Sequence, residues 1–188
     1  MIRARAIAAI IALLTCCARS PAPAPAASGE SPAAPPAEDA PLAKATVTVY
    51  FPSASRDGLT GETREIIATP RPADRGAQIL SALLDGPEGD DALPLAREGT
   101  TLNRLWVRAD GTAYADFSEE LIQGLSGSSE EILTIYAIVD SLAMNVAEIK
   151  SVAVLINGRE RDTLGGHIDA RRPLPPDPTL VATAPGKE

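Results

Sequence analysis

The amino-acid sequence predicts an α+β domain in which a small antiparallel or mixed sheet carries two helices on one face. Short β-branched segments bounded by turn residues predict the strands, and two longer segments with helical periodicity predict the helices. Together they give the order β-β-α-β-β-α-β-β. The chain has 188 residues, but residues 1–43 are rich in alanine and proline, so the segment that can form a core is residues 44–174, the size of one domain.

Two strands and a helix open the predicted domain. Residues 46–51, TVTVYF, are β-branched and aromatic, and residues 62–68, ETREIIA, follow them after a polar loop. A helix is expected over residues 73–85, because its large aliphatic side chains return on one face. Gly86-Pro87 should end that helix, since glycine suits the position after a helix and proline cannot continue it.

Two further pairs of strands are predicted from turn signals. Residues 101–117 form the clearest hairpin, with Asp110-Gly111 at its turn. Residues 150–156, KSVAVLI, form a buried strand that an Asn157-Gly158 turn connects to a short return strand.

The second helix, residues 127–143, separates these two pairs of strands. It opens with Ser128-x-x-Glu131, a capping-box pattern in which Glu131 would bond to the helix N-terminus. Its apolar positions recur at helical spacing and predict one wide buried stripe. These positions are Ile132, Ile135, Tyr136, Val139, Leu142 and Ala143.

Residues 1–16 have the order of a lipoprotein signal peptide, with a basic region followed by a short apolar run. The run is too short to span a bilayer, which needs about 20 residues. It ends at Leu14-Thr15-Cys16-Cys17, which resembles a bacterial lipobox, and we expect Cys17, or Cys16 in the other register, to be lipidated. The protein is therefore predicted to be exported and membrane-anchored, at the periplasmic or extracytoplasmic face of the cell envelope.

The segments that flank the domain have the composition of disordered chain. After the lipidated cysteine, the linker that ends at residue 43 is rich in proline and alanine, and residues 175–188 are predicted to form a disordered tail of similar composition. The formal net charge is −8, and no basic cluster is present. This charge balance argues against nucleic acid as a partner.

Several segments, taken in order, resemble the GerMN domain, a family named for sporulation and spore germination proteins. They are the VYF strand, a helix ending LLDGP, a hairpin running into DFS, a helix opening GSSEE, and VAVLINGRERDTLGGHIDARRPL. The resemblance covers residues 46–174. It implies a small α+β module, similar to the ring-building motifs of bacterial envelope machines, with no catalytic, cofactor-binding or metal-binding residues. The founding pattern has two copies and this chain has one, so we expect a general envelope role rather than a role specific to sporulation.

His167 and Asp116 are the residues that suggest chemistry. His167 is the only histidine, and metal sites need three or four ligands, while a serine triad would need a G-x-S-x-G elbow that this sequence lacks. We therefore expect Gly165 and Gly166 to turn the backbone and His167 to bond within that loop. Asp116 could be a reactive acid, but Asp116 or Ser118 is expected to cap the helical turn that follows.

Three hypotheses about function follow from these residues. The first is a non-enzymatic envelope lipoprotein that contacts other proteins or a second copy of itself through exposed strand edges. The second is a module that binds peptidoglycan or another glycan through Trp106, which shares one face of the hairpin with Arg104 and Arg108. The third is a hydrolase that uses Asp116 or His167.

Overall fold

A computed structural model describes residues 42–181, except residues 56 and 96. The predicted signal peptide, the cysteines Cys16 and Cys17, and the linker up to residue 41 lie outside the described residues, and so do residues 182–188. Within the described ranges, neither α-helix is both long enough and apolar enough to cross a membrane.

The fold is α+β, and its strands and helices follow the predicted order. A 3₁₀ turn precedes the second helix, and another lies near the end of the described chain. The elements are β1 Lys44–Pro52, β2 Leu59–Ile67, α1 Pro72–Asp85, β3 Leu102–Val107, β4 Thr112–Phe117, a 3₁₀ turn Glu119–Ile122, α2 Ser128–Ala143, β5 Ser151–Ile156, β6 Arg159–Glu160 and a 3₁₀ turn Pro178–Leu180.

The strands form two sheets. An antiparallel pair, β1-β2, is separate from a mixed sheet of order β3-β4-β5-β6, in which β4 and β5 are parallel. The parallel pair arises because α2 lies between these strands in sequence and returns the chain to the same end of the sheet. Both helices contact both sheets. The prediction had two helices on one face of a single sheet, and the structure differs in having two sheets.

The outer edge of β1 is closed by side chains of α2 and of the residues that follow it. The amide of Asn145 accepts from the Thr48 N–H at 2.9 Å and donates to the Thr48 carbonyl at 2.6 Å. One turn earlier, the Ser141 hydroxyl accepts from the Tyr50 N–H at 2.9 Å. Because these bonds occupy the backbone groups that another strand would use, the β1-β2 pair does not grow on this side.

Helix α2 is buried on more of its surface than one stripe. Ile135, Val139 and Leu142 are buried as predicted, but Ile132 and Tyr136 are only half-buried. The helix contacts β1 as well as β5, which explains why residues outside the predicted stripe are covered. The additional buried residues of α2 are Glu131, Thr134, Ala137, Ile138, Asp140 and Ser141.

Residues 174–181 pack along the domain, and we name this segment the C-terminal strap. Leu174 pairs with Val152 of β5, and Val181 forms a bridge with Leu59 of β2. Within the strap, Asp177 accepts from the Thr179 N–H and so caps the 3₁₀ turn. The disordered tail was predicted to start at residue 175, but the described part of that segment is held by hydrogen bonds.

Candidate functional site

The loop that contains His167 is organised around a buried glutamate from α2. The side chain of Glu131 is fully buried, and its carboxylate accepts the Leu164 N–H at 2.9 Å and the His167 N–H at 2.7 Å. The N–H groups of Gly165 and Ile168 also donate to it. We call residues 164–168 the Glu131-bound loop. A carboxylate that accepts several backbone donors is held in its ionised form.

The predicted capping box is therefore wrong. Helix α2 has Gly127 as its N-cap residue and no side-chain cap, and Glu131 points to the loop instead of the helix start. Glu130 reaches back and accepts the Ser126 N–H at 3.0 Å. Burial alone would raise the pKa of Glu131, but the four backbone donors outweigh burial and hold that pKa below its ordinary value.

His167 contributes to the shape of this loop. Its Nδ1 atom lies 3.2 Å from a Glu131 carboxylate oxygen, and its side chain is 44% exposed. Gly166 has φ +98°, a conformation that other residues rarely adopt. A Cβ at Gly165 would lie 3.1 Å from the Leu125 side chain. Both glycines therefore suit the shape of this loop better than residues with a side chain would. Asp169 pairs with Arg171 at 2.8 Å in an exposed position.

Asp116 supports the turn between β5 and β6. Its carboxylate accepts the Gly158 N–H at 2.7 Å. Ser118 is the N-cap residue of the following 3₁₀ turn but makes no side-chain cap bond there, and its hydroxyl accepts the Thr101 N–H at 3.0 Å. The predicted capping role is therefore wrong for both residues, because each side chain bonds to a neighbouring segment. Asp116 lies near the end of β4 and His167 lies in the Glu131-bound loop, and each side chain bonds to a different part of the chain.

Trp106, Arg104 and Arg108 share one face of β3, as the alternation predicted, and all three are exposed. Trp106 stacks on Tyr114 of β4, with ring centroids 5.2 Å apart and an interplanar angle of 4°. Arg108 hydrogen-bonds to Tyr114 and lies 3.4 Å from Asp110. The aromatic pair and the two arginines form an exposed surface that we call the Trp106 face.

A cleft of about 670 Å³ lies at the outer edge of β3. Its walls are the end of β3 with the adjoining residues 108–109, the start of α1 at Pro72 and Ala73, the side chain of Arg71, and Glu148. Glu148 is bound by Arg75, with the nearest oxygen at 2.7 Å. We call this cavity the β3 cleft. It adjoins the Trp106 face, because Trp106 and Arg108 belong to both.

Asp140 is a buried acid that the sequence analysis did not identify. It lies in α2, and one carboxylate oxygen accepts the Asp177 N–H of the C-terminal strap at 2.9 Å. The other oxygen is buried without a hydrogen-bond partner among the described residues. Burial raises the pKa of Asp140 to about 6, and the charge of Asp177 adds to the rise while the Asp177 N–H opposes it.

The described residues contain no group of three or more histidine, cysteine, aspartate or glutamate side chains that could hold a metal ion. Sequence reasoning missed Asp140 and assigned Glu131 the wrong role, and both acids are buried. Asp140 interrupts the apolar pattern of α2, and that interruption is the signal that could have identified it. Glu131 stands among polar residues at the start of the helix, where no such signal exists.

The sequence profile of the Germane family, described as sporulation and spore germination, matches residues 48–162. This match includes more than half of the chain. The chain belongs to the Germane family. The matched segment contains β3, the Trp106 face and Glu131, and it ends before the Glu131-bound loop, whereas the C-terminal strap lies outside it.

Solved structures have the same Germane fold. The first GerMN domain of the sporulation protein GerM from Bacillus subtilis is 22% identical, with a TM-score of 0.57, and the match covers 70% of this chain and 97% of that domain. A structure described as a lipoprotein from Clostridium perfringens is 24% identical, with a TM-score of 0.50, and the match covers 70% of this chain and 87% of that one. Among curated proteins, none matches the chain significantly.

The tandem GerMN domains of the same Bacillus subtilis protein are 21% identical, with a TM-score of 0.55. That match covers 67% of this chain and 44% of the tandem structure. The single Germane domain described here thus corresponds in length to less than half of the tandem arrangement.

Proposed function

We propose that this protein is a non-enzymatic, lipid-anchored component of the cell envelope whose Germane domain acts by contacting other proteins. The observation that carries the proposal is the contrast between the residues that suggested chemistry and the Trp106 face. Asp116 and His167 are used to hold backbone loops, whereas Trp106, Arg104 and Arg108 are exposed beside an open strand edge. Exposed aromatic and arginine side chains are enriched where proteins meet.

The family description supports a role in sporulation or germination, or in a related envelope process. The lipid anchor is supported by the lipobox-like sequence at Cys17 or Cys16 and by the likeness to a structure described as a lipoprotein. Metabolic labelling with a palmitate analogue tests the anchor. Label should be lost from the Cys17→Ala variant and kept in Cys16→Ala, or the reverse if Cys16 is the lipidated residue. Label that persists when both cysteines are replaced would contradict the anchor.

Contact with other proteins can be tested by site-specific crosslinking in cells of the source organism. A photo-crosslinking residue at Arg104 or Trp106 should give discrete crosslinked species, whereas the same residue at exposed Arg159 on β6 is the matched control. Equal crosslinking from both positions, or none from either, would contradict a contact surface on the Trp106 face.

A second candidate function is glycan binding, which the stacked pair Trp106–Tyr114 favours because aromatic faces stack on sugar rings. Sedimentation with purified cell-wall sacculi distinguishes it from protein contact. Binding that falls in Trp106→Ala and not in Met144→Ala, another exposed apolar residue, would support the glycan. If sacculi do not sediment the full chain, this candidate is excluded.

A hydrolase remains the alternative that the structure supports least, because both candidate residues have structural partners. Replacing Asp116 with asparagine and His167 with glutamine removes any acid–base chemistry while preserving most of the side-chain shape. Loss of cellular function in a variant that folds and accumulates normally would favour the enzyme. Retained function would favour the contact module.

A further inference from the structure

The outer edge of β3 is free and lines the β3 cleft. The edge of β1 is closed by Asn145 and Ser141. The last residue of β2, Ile67, bonds through both backbone groups to Gln78 of α1. For β3, the described residues provide hydrogen bonds only on the side of β4. An open edge is a template on which another strand can pair.

The register identifies the backbone groups that are free. Arg108 donates its N–H to Thr112 at 2.9 Å, so this residue belongs to a hydrogen-bonded pair. In an antiparallel ladder hydrogen-bonded pairs alternate with pairs that are not bonded. Leu105 and Val107, opposite Ala115 and Ala113, therefore direct their N–H and C=O groups away from β4, into the β3 cleft.

The two faces of β3 define what side chains an added strand should carry. Leu105 lies against α1, since a Cβ placed at Gly76 would be 2.6 Å from a Leu105 methyl group. Arg104 and Arg108 lie on the opposite face, and Arg71 is 77% exposed at the rim of the cleft. An added strand would thus place apolar side chains toward α1 and acidic side chains toward the arginines.

The arginines are available for such a strand. Arg71 and Arg108 lie 3.4 Å from Asp74 and Asp110, in exposed pairs that are weak in water. The chain as a whole has a formal charge of −8, whereas Arg71, Arg104 and Arg108 lie together around this edge, with Asp74, Asp110 and Glu148 beside them. Pairing with a second copy in the antiparallel register centred on Trp106 would bring Arg104 against Arg108 of that copy, and like charges opposite each other destabilise a ladder.

From these observations we propose that the β3 cleft binds an extended acidic segment of another protein, which adds to the mixed sheet as a fifth strand beside β3. The proposal rests on the proposed function and specifies its partner. The main-chain bonds of Leu105 and Val107 provide the pairing, and Arg104, Arg108 and Arg71 select the acidic side chains.

The test uses the full chain, purified in detergent, and a fluorescein-labelled peptide in which valine and glutamate alternate. Two control peptides separate the contributions: in one, lysine replaces glutamate, and in the other alternate amides are N-methylated so that they cannot pair with a strand. The double variant Arg104→Glu, Arg108→Glu removes the selecting charges. The matched control Arg159→Glu, Arg172→Glu makes the same change in net charge at exposed positions away from β3.

Fluorescence anisotropy should show binding of the glutamate peptide, weaker binding of both control peptides, and a loss of about tenfold or more in affinity for the β3 variant, since two attractions become repulsions. The control variant should bind as the wild type does. Hydrogen exchange should show that the amides of Leu105 and Val107 become protected when the peptide binds. Exchange reports on the backbone directly, so it stays informative even if a variant folds poorly.

The proposal is overturned by equal binding of the glutamate and lysine peptides, by equal loss in the two double variants, or by unchanged exchange at Leu105 and Val107. Concentration-dependent dimerisation that protects these amides without peptide would assign the edge to a second copy instead. Protection in the free monomer, removed when the residues before β1 are deleted, would assign it to the linker. If the Trp106 face gives crosslinks in cells but the peptide does not bind, strand addition at β3 would be contradicted and the proposed function would still be supported.

Discussion

Replacing Asp140 with asparagine should change how the stability of the domain depends on pH. Asp140 is fully buried, and one of its carboxylate oxygens has no hydrogen-bond partner among the described residues. Burial raises its pKa from 3.8 to about 6. The folded state therefore disfavours the ionised carboxylate, and the nearby groups do not reverse this, because Asp177 is acidic and Tyr50 and Tyr136 are neutral at these pH values.

The magnitude follows from the pKa difference. Well below pH 4 the carboxyl group is protonated in both states, and the contribution to stability is lost as the pH rises through the folded pKa of about 6. A difference of about 2 pH units at about 1.4 kcal/mol per unit gives a total loss of about 3 kcal/mol, of which about 2.5 kcal/mol falls between pH 4 and pH 8. Asparagine does not titrate, so the variant lacks this loss.

Chemical denaturation of both proteins at a series of pH values measures the effect. The free energy of unfolding of Asp140→Asn minus that of the wild type should rise by about 2.5 kcal/mol from pH 4 to pH 8. Using the difference cancels the other titrating groups and any constant effect of the buried amide. A difference that stays within about 0.5 kcal/mol across this range, or that falls, would refute the reasoning.

Three further replacements test the contacts that organise the loops and strand edges. Glu131→Gln should lower the free energy of unfolding by about 2 to 4 kcal/mol at pH 7. This loss of stability should become smaller at low pH, because a glutamate with a lowered pKa loses its stabilising charge as the pH falls. Denaturation at several pH values and amide exchange in the Glu131-bound loop measure the loss. His167→Gln should change the free energy of unfolding by less than about 1 kcal/mol, because the histidine ring is partly exposed. Cells carrying this variant should keep their envelope phenotype. Loss of function in a variant that folds normally would contradict this expectation. Asn145→Ala leaves both backbone groups of Thr48 without this partner and should lower the free energy of unfolding by about 2 to 3 kcal/mol. Denaturation of this variant is compared with that of the exposed control Asn103→Ala. An equal loss of stability in the control would contradict the prediction.

The sequence predicted the elements whose signals are local. The Asp110-Gly111 turn and the alternation around it identified the β3-β4 hairpin, and the same alternation placed Trp106 between Arg104 and Arg108 on one face. The periodicity also identified α2 as a helix, because a long apolar pattern admits few other structures, but it did not predict how much of the helix is buried. These signals were sufficient for the fold class and the order of elements.

The features that the sequence did not predict depend on contacts between distant residues. Glu131 fits a capping box in sequence, but its position in space lets it accept N–H groups more than thirty residues away, which no local pattern encodes. The closing of β1 by Asn145 joins residues separated by 97 positions. That closure prevents the edge of β1 from pairing with the second sheet, because its backbone groups are occupied.

The antiparallel pairing of β1 would have a mechanical consequence if the proposed lipid anchor holds the chain from its N-terminal side. Lys44 faces Ile67, and the chain leaves β2 toward α1 at that same end. A pull on the chain before Lys44 would therefore peel β1 from β2 one pair at a time, which needs less force than sliding the strands past each other. The peeling would be resisted at Thr48, where the Asn145 side chain hydrogen-bonds to both backbone groups. The first residues of β1 would thus separate from β2 at low force, and the bonds at Thr48 would stop further separation.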